Sequence, residues 1–411
     1  MIRPSGAPSE AGTRVTPTDS RNPFLDLPIL PVAIILGFAL RVAAAIVVPN
    51  QQFPDAIGYR AAGLSLWATG RISEPLFMPL YPVLVGLTGP GWGQVALDVL
   101  LSTVMIGLVH RLALAMFGDR AAAALAALAA AVYPFFIFYA VVGLTETLYI
   151  TLLLGAFDCW YRGYFTPAAV LAVLSILTRP TLDPLIPLLI LCFALVVHRM
   201  PLGAALRQLA VYAAIYCVLM SPWWLHNYRA YGTFVRLSLG SGVMLYTGNN
   251  PLNRSGGALE VDRDPNRFDK IADPLVRDRA MWNAGADYIK QNPGRFIELA
   301  VAKFMRFWRP WPYAQDYATP LYVILSLVSF APVLGLALVY LAVWGWRERA
   351  VIAPVILLVG GLTAAHMVLA ASMRYRLPLE PFLIILAATA AARLIRRYEP
   401  KPPRAITAAP P

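Results

Sequence analysis

Charged residues are scarce in this sequence, since Asp, Glu, Lys and Arg together make up only 14% of its 411 residues. Soluble domains average about 25% of these residues. Hydrophobic residues reach 59%, and this content excludes an ordinary water-soluble enzyme as well as a disordered or fibrous chain. The composition therefore predicts a polytopic membrane protein.

Cysteine is scarce too, with only three in the chain. Cys159, Cys192 and Cys217 lie far apart inside apolar runs, without a second Cys or His at metal-ligand spacing. That pattern excludes a disulfide framework and a cysteine-based metal site. The sequence also has no Gly-x-x-x-x-Gly-Lys-Ser/Thr loop and no Gly-x-Gly-x-x-Gly turn after a strand, so neither a nucleotide-driven pump nor a dinucleotide enzyme is supported.

Apolar runs recur along most of the chain, and the longer ones reach the length of about 20 residues that crosses a bilayer as a helix. They predict an all-α polytopic membrane protein with about ten transmembrane helices in residues 27–398. A disordered cytoplasmic tail is expected at 1–26 and a second cytoplasmic tail at 399–411. The runs cover approximately residues 29–48, 95–116, 120–139, 142–160, 165–178, 184–197, 205–222, 318–344, 351–371 and 377–395.

Two long segments between these runs are expected to lie outside, because basic residues concentrate in the alternate short loops and in the two tails. In the first outer loop, 49–94, apolar residues recur at helical spacing and predict a helix on the membrane surface. In the second, 223–317, Trp pairs mark both ends and two amphipathic helical patterns are split by Asn292-Pro293. The surface-helix face of the first loop consists of Ile57, Ala61, Leu64 and Ala68.

Unusual polar residues gather at the same outer face, coming from five loops or helix ends. A charge close to hydrocarbon is costly and is a functional candidate by default. Glu146 is predicted to lie about one turn inside an apolar run. A reaction at a lipid-phosphate headgroup needs both a carboxylate and cations. The set comprises Asp55, Glu74, Glu146, Arg179, His226, Arg229, Lys303, Arg306, Arg374 and Arg376.

Four passages in this order resemble the polytopic glycosyltransferases of the GT-C type, and specifically those similar to protein O-mannosyltransferases and lipid A aminoarabinose transferases. The resemblance covers most of residues 29–395. The passages are PDAIGY at 54–59, LTRP at 177–180, PWWLHNY at 222–228 with GNNP at 248–251, and RYRLPLEP at 374–381.

The resemblance implies a catalytic base in the first outer loop, and Asp55 matches it. Many relatives carry an Asp-Glu pair there, whereas Ala56 follows here, so Glu146 is the candidate for the second carboxylate. Basic residues near the last spans would bind the lipid phosphate, which assigns Arg374 and Arg376 to this role, with Arg179 beside them. Lys303, Tyr59, Glu74 and His226 complete the candidate substrate contacts.

The implied reaction is an inverting transfer of a sugar from a polyprenyl-phosphate carrier, at the periplasmic face of a bacterial inner membrane. The acceptor would be a lipid, a glycan or a protein, and nucleic acid is not an expected partner. No cofactor is required by the resemblance, and participation of a divalent metal stays open.

Other interpretations of the same residues stay open at this point. Asp55 could cap the surface helix, and the arginines could be interface anchors whose side chains snorkel to the headgroups. Lys303 and Arg306 fit a stripe that faces the headgroups, and His226 fits an interfacial position. A polytopic transporter or lipid flippase would also carry charges within its spans, although such sites usually lie near the midplane on broken helices.

The charge pattern predicts that both termini lie in the cytoplasm. A membrane-impermeant thiol reagent applied from outside should label a cysteine introduced in 255–290 and should spare Arg347→Cys and Lys401→Cys. Labelling of the cysteine at position 401 from outside would contradict the even number of spans.

Overall fold

The computed structural model describes residues 29–48, 53–72, 76–257, 266–312 and 319–398. Within these ranges the regular secondary structure is helical. The tails expected at 1–26 and 399–411 lie outside the described residues, and so does the candidate residue Glu74.

Six helical stretches among the described residues are long and apolar enough to cross a membrane. Length and composition together identify them, because a helix rises 1.5 Å per residue and about 20 apolar residues match the hydrocarbon core. They are α1 (Ile29–Val47), α4 (Trp92–Phe117), α10 (Leu202–Tyr231), α15 (Pro320–Tyr340, continued by a π-helical turn to Gly345), α16 (Arg349–Val368), and α18 (Glu380–Tyr398) with the short α17 (Met373–Arg376) before it.

Four shorter helices occupy the remaining predicted runs. They are α5 (Arg120–Val132), α7 (Glu146–Tyr161), α8 (Phe165–Thr178) and α9 (Ile186–Cys192, continued by a π-helical turn to Val197). Each of the ten predicted runs thus contains a helix, and the predicted class of an all-α polytopic membrane protein is confirmed.

Two helix boundaries differ from the prediction because of local backbone constraints. The run 120–139 is interrupted at Tyr133, whose backbone is extended, and α6 (Pro134–Tyr139) starts with the proline. Proline supplies no N–H, so it fits without loss in the first turn of a helix, whereas in the interior it removes a backbone hydrogen bond. The run 142–160 becomes helical only at Glu146, because Gly143 has a left-handed φ of 72°. Glu146 therefore opens α7 instead of lying a turn inside it.

The third difference concerns α10, which was expected to end near Pro222. The helix runs through this proline to Tyr231 and is terminated by Gly232, whose φ is 68°. The tryptophan pair and His226 consequently lie on the helix and not in the loop that follows it. His226 is stacked on Trp223, with ring centroids 5.0 Å apart.

The first connecting segment, between α1 and α4, contains α2 (Pro54–Thr69) and α3 (Leu80–Thr88). α2 packs against α3 through a face of small residues that includes Ala62 and Gly63. The predicted surface face, Ile57, Ala61, Leu64 and Ala68, is exposed along its whole length. The helix is thus positioned by its small residues and leaves its larger apolar ones available to lipid.

The described residues of the second connecting segment, between α10 and α15, form four helices. Asn292 separates the last two, as the sequence predicts. α13 (Pro274–Gln291) starts after Asp273, whose carboxylate accepts hydrogen bonds from the backbone N–H groups of Leu275 and Val276 and so caps the helix. The helices are α11 (Ser241–Gly248), α12 (Asn266–Asp269), α13 (Pro274–Gln291) and α14 (Pro293–Trp308).

The centre of the bundle is formed by α4, α5, α7 and α18. α18 packs against α4, α5 and α15, and α7 packs against α4 and α8. Residues 377–390 are buried without interruption. In contrast, α1, α10 and α15 expose large apolar side chains such as Ile35, Val218 and Val328, which is the pattern of helices that face lipid.

The close approach of α2 and α3 generates a stability prediction. A Cβ added at Gly63 would lie 2.7 Å from the carbonyl oxygen of Pro82, so Gly63→Ala should lower the free energy of unfolding by about 1–3 kcal/mol through overpacking. The matched control is Gly107→Ala in α4, where an added Cβ meets no atom within 4 Å and the change should stay within about 1 kcal/mol. Thermal unfolding in detergent measures both, and equal transitions for the two variants would contradict the packing argument.

Candidate active site

Four charged side chains from distant parts of the chain meet at one end of the bundle. Arg374 lies between two carboxylates. Its Nη1 donates to Oδ2 of Asp55 at 2.6 Å, and its Nε and Nη2 donate to the two carboxylate oxygens of Glu146. Arg179 donates to the same Glu146 carboxylate and to the hydroxyl of Thr145. The sequence placed these four charged residues at one face, and the structure joins them by direct ion pairs.

Asp55 reaches the cluster from the first turn of α2. The N-cap position of this helix is occupied by Phe53, in extended conformation and without a side-chain capping bond. Asp55 is therefore not the N-cap that the alternative interpretation assumed. Its side chain is 47% exposed, so one partner of Arg374 is open to solvent. Its position near the helix N-terminus also favours the negative charge.

Glu146 is the first residue of α7 and its side chain is fully buried. The turn before it is fixed by Gly143, whose carbonyl accepts a hydrogen bond from the Gln94 side chain at 3.2 Å. A buried carboxylate is tolerated only when it is paired and hydrogen bonded. Arg179 and Arg374 supply the charges and hydrogen bonds that pair with Glu146. The positive end of the α7 dipole stabilises its negative charge further.

The two arginines are held by different backbone features. Arg179 follows α8 in an extended conformation before Pro180, as residues that precede proline prefer. Its guanidinium lies over the rings of Tyr375 and Tyr149, at 5.6 and 6.0 Å from the centroids. Arg374 is in the first turn of α17, where the Ser372 hydroxyl accepts from its backbone N–H at 3.3 Å.

Charge in the cluster is balanced, with two carboxylates facing two guanidinium groups. Burial favours the neutral form of Arg179, but the Glu146 carboxylate outweighs this effect and the pKa of Arg179 is raised above its usual value. Tyr59 lies beside the cluster on α2. Burial is the main cause of its raised pKa, so its phenol is neutral at physiological pH.

A cleft opens next to the two arginines. The hydrogen bonds of Arg179 to described residues all use Nη1, which leaves its Nε and Nη2 able to donate to a ligand. Together with Arg374 they can bind an anion, and guanidinium forks match the geometry of phosphate as well as of carboxylate groups. The cleft is lined by Tyr149, Arg179, Thr181, Leu362, His366, Arg374, Tyr375 and Pro378.

Arg376 does not join this cluster, although it is only two residues from Arg374. Its buried side chain pairs with Glu380 at 2.8 Å, donates to the carbonyl oxygens of Phe307 and Arg309, and lies over the ring of Phe330. Residues two apart on a helical turn point to nearly opposite sides. The structure thus gives Arg376 no contact with the cluster to which the sequence assigned it.

Lys303 also has partners of its own. Its Nζ donates to the side-chain oxygen of Asn249 and to the carbonyl oxygen of Val368. Lys303 is fully buried and Arg306 is 7% exposed, so the interpretation of these two residues as a stripe facing the headgroups is wrong. The reason is tertiary, because this side of α14 packs against other elements of the chain.

Several residues near the site were not found from the sequence. His366 stacks on Tyr375, which faces Arg179, with centroids 4.6 Å apart. Asp98 is fully buried in α4 and accepts a hydrogen bond from Tyr81 at 2.6 Å. Asp98 could have been found as a carboxylate within an apolar run, and Tyr375 as part of the passage RYRLPLEP, whereas His366 shows no pattern that separates it from residues of the core.

A metal ion does not fit the described residues well. They include no group of three or more His, Cys, Asp and Glu side chains that could hold one. Asp55 and Glu146 could supply two carboxylate ligands, but both bind Arg374, and a cation would have to replace this arginine.

The comparisons with known proteins identify the fold. No protein-family model matches the sequence, and no curated protein matches it. The structure is similar to the oligosaccharyltransferase AglB of Archaeoglobus fulgidus, solved with an inhibitory peptide and a dolichol-phosphate, at a TM-score of 0.57 and 13% identity over 90% of this chain and 50% of that chain. The same enzyme tethered to an acceptor peptide gives a TM-score of 0.56 at 13% identity, over 92% and 50% of the two chains.

A second solved structure is ArnT of Cupriavidus metallidurans bound to undecaprenyl phosphate, with a TM-score of 0.48 and 17% identity over 90% of this chain and 60% of that chain. The chain spans about half the length of AglB. This chain shares the fold of AglB over 90% of its residues, and the predicted resemblance to GT-C enzymes is confirmed at the level of the fold.

The different surroundings of the two neighbouring arginines generate a prediction. Arg376→Ala should lower the free energy of unfolding by about 3–5 kcal/mol, since it leaves the Glu380 carboxylate buried without its partner. Arg374→Ala should cost clearly less, because Glu146 keeps Arg179 and Asp55 is half exposed. Thermal unfolding of the two variants side by side measures the difference, and the opposite order would contradict these assignments.

Proposed function

We propose that this protein is an inverting membrane glycosyltransferase that moves a sugar from a polyprenyl-phosphate carrier to an acceptor hydroxyl. One observation carries the proposal: Asp55, Glu146, Arg179 and Arg374 form one cluster beside a cleft. The cluster combines a solvent-accessible carboxylate with two guanidinium groups, which are the groups this reaction requires.

In the proposed reaction the acceptor oxygen attacks the anomeric carbon of the sugar from the side opposite the phosphate. A carbon–oxygen bond forms to the acceptor as the bond to the phosphate oxygen breaks, and the configuration inverts. Asp55 accepts the proton of the acceptor hydroxyl, and the polyprenyl phosphate leaves as an anion. General base assistance of this kind contributes about 100- to 10,000-fold to a rate.

Arg179 and Arg374 would hold the phosphate of the donor. Charge-assisted hydrogen bonds from guanidinium groups stabilise the negative charge that develops on the leaving oxygen, and they are stronger in a site with little water. A phosphate on Nη1 of Arg374 would replace Asp55 there, which frees this carboxylate to act as the base.

Glu146 was a catalytic candidate from the sequence, and its surroundings favour a supporting role instead. It is fully buried and binds both arginines, so it orients the phosphate-binding groups. Tyr59 contributes a neutral phenol to the same region.

The proposed location is the periplasmic face of a bacterial inner membrane. Both tails would lie in the cytoplasm, with residues 27–398 as one transferase domain. The acceptor would be a lipid, a glycan or a protein delivered to that face. A transporter or flippase is less favoured, because this cluster lies at one end of the bundle, where α7 and α18 begin and α8 and α16 end, and not halfway along the helices.

Asp55→Asn tests the proposal. The purified full chain in lipid nanodiscs is given a panel of polyprenyl-phosphate sugars and an extract of envelope glycans and lipids, and sugar transfer and donor binding are measured. The variant should fold and bind the donor like the wild type, while transfer falls at least about 100-fold. The matched control is Asp287→Asn in α13, at an exposed side chain, which should transfer normally.

Transfer by Asp55→Asn within a few-fold of the wild type would remove Asp55 as the base. Failure of the wild type to bind any polyprenyl-phosphate sugar would contradict the proposed donor class.

A further inference from the structure

Arg374 is carried by a short chain segment whose position depends on neighbouring elements. α16 ends at Val368, and residues 369–372 are not helical before α17 begins. We call these four residues the Arg374 link. Because Arg374 follows only two residues after the link, a displacement of the link displaces the guanidinium group.

The link is held by two parts of the second connecting segment, namely residues that follow α11 and the helix α14. The carbonyl oxygen of Val368, directly before the link, accepts hydrogen bonds from Asn249 Nδ2 at 2.8 Å and from Lys303 Nζ at 3.1 Å. Within the link, the backbone N–H of Ala371 donates to the carbonyl oxygen of Gly256 at 3.1 Å. The start and the middle of the link are thus fixed from the same side.

Glycine is required where the connecting segment meets these groups. A Cβ at Gly248 would lie 2.5 Å from the carbonyl oxygen of Leu369, and one at Gly256 would lie 2.7 Å from Cγ of Lys303. Gly256 also has a φ of 73°, which side chains of L-residues rarely allow. The backbone therefore packs directly on the link and on the lysine that holds it.

Lys303 and Asn249 form one hydrogen-bonded unit. Nζ of Lys303 donates to Oδ1 of Asn249 at 2.9 Å, and Nδ2 of Asn249 donates to the carbonyl oxygens of Leu245 and Val368. Both side chains are fully buried. The acceptors of Lys303 are an amide oxygen and a backbone carbonyl, and among the described residues no carboxylate pairs with it.

A buried ammonium with neutral partners does not stabilise the fold by itself. Burial lowers the pKa of Lys303 from 10.5 to about 7, which means that the folded state disfavours the charged form. The unfolded chain binds this proton more tightly. The unfavourable contribution of Lys303 to the free energy of folding is therefore complete below pH 7, and it disappears as the pH rises to the ordinary lysine pKa of 10.5. Because its burial costs free energy, the position of Lys303 is not explained by stability and is better explained by a role in the function.

We propose that Lys303 and Asn249 are positioning residues that hold the Arg374 link and thereby aim Arg374 at the phosphate of the donor. The inference rests on the proposed function and assigns to Lys303 a role without contact to the substrate. It differs from the role expected from the sequence, in which Lys303 itself binds the substrate.

The test variant is Lys303→Met, which keeps a similar length and removes the donors. Its melting temperature should stay close to that of the wild type, because loss of the desolvation cost offsets loss of the hydrogen bond to the buried Asn249 oxygen. Turnover should fall about 10- to 100-fold, since small displacements of a binding group cost this much. The matched control is Lys290→Met, at an exposed lysine of α13, which should change neither quantity.

Two further readouts separate positioning from other roles. Hydrogen exchange at the Ala371 amide should be faster in Lys303→Met, and this measurement needs no substrate. In an Arg374→Ala background, adding Lys303→Met should not weaken donor binding further, because two residues that act through one contact are not additive. A further loss of the same size as in the wild-type background would indicate direct contact with the donor and overturn the proposal.

Unchanged turnover and unchanged amide exchange in Lys303→Met would also overturn the proposal, and so would a clearly lower melting temperature, which would make Lys303 a structural residue. Faster amide exchange in a protein whose wild type transfers no sugar would support the link and contradict the proposed function instead. The two failures are therefore distinguishable.

Discussion

The interaction on which the site depends is the fork of Arg374 between Asp55 and Glu146. The three residues come from α17, α2 and α7, and the two ion pairs connect positions 319 and 228 residues apart in the chain. Glu146 is fully buried, and a carboxylate in that position requires cations around it. Arg179 is the second cation that pairs with Glu146, so the end of α8 is bound to the same carboxylate. Removing Arg374 would take this partner from Asp55 and leave Glu146 with Arg179 alone.

The two carboxylates of the fork belong to one chemical class and meet different surroundings. Glu146 is enclosed and binds two guanidinium groups, whereas Asp55 binds one and is half exposed. Only the latter can be approached by an acceptor hydroxyl. Environment, not residue type, assigns acid–base roles when two carboxyl groups share a site. This asymmetry supports Asp55 as the base and Glu146 as the group that holds the arginines.

Much of this arrangement could be predicted from the sequence, because each of the four charged residues lies close to the end of an apolar run. Alternation of the runs across the membrane then places them at one face. The different partners of Arg374 and Arg376 could not be predicted, since they depend on a single helical turn before α18 that points the two side chains to opposite sides. The contacts of Lys303 could not be predicted either, because its hydrogen-bond partners lie 54 and 65 positions away in the sequence. Patterns within one segment indicate which face is polar, and packing between segments decides which polar groups meet.

The supports around Arg374 have a consequence for binding. On the N-terminal side of Arg374, the link is held through Asn249 and Lys303. On its C-terminal side, Arg376 is bound to Glu380 and to two backbone carbonyls. The backbone is therefore constrained on both sides, while the side chain of Arg374 remains 21% exposed. In the proposed function, exchange of Asp55 for a phosphate at Nη1 would require a side-chain movement and no rearrangement of the backbone. Donor groups that are already oriented lose little free energy when the ligand arrives, and for this reason the contacts that fix the backbone matter as much as the arginine itself.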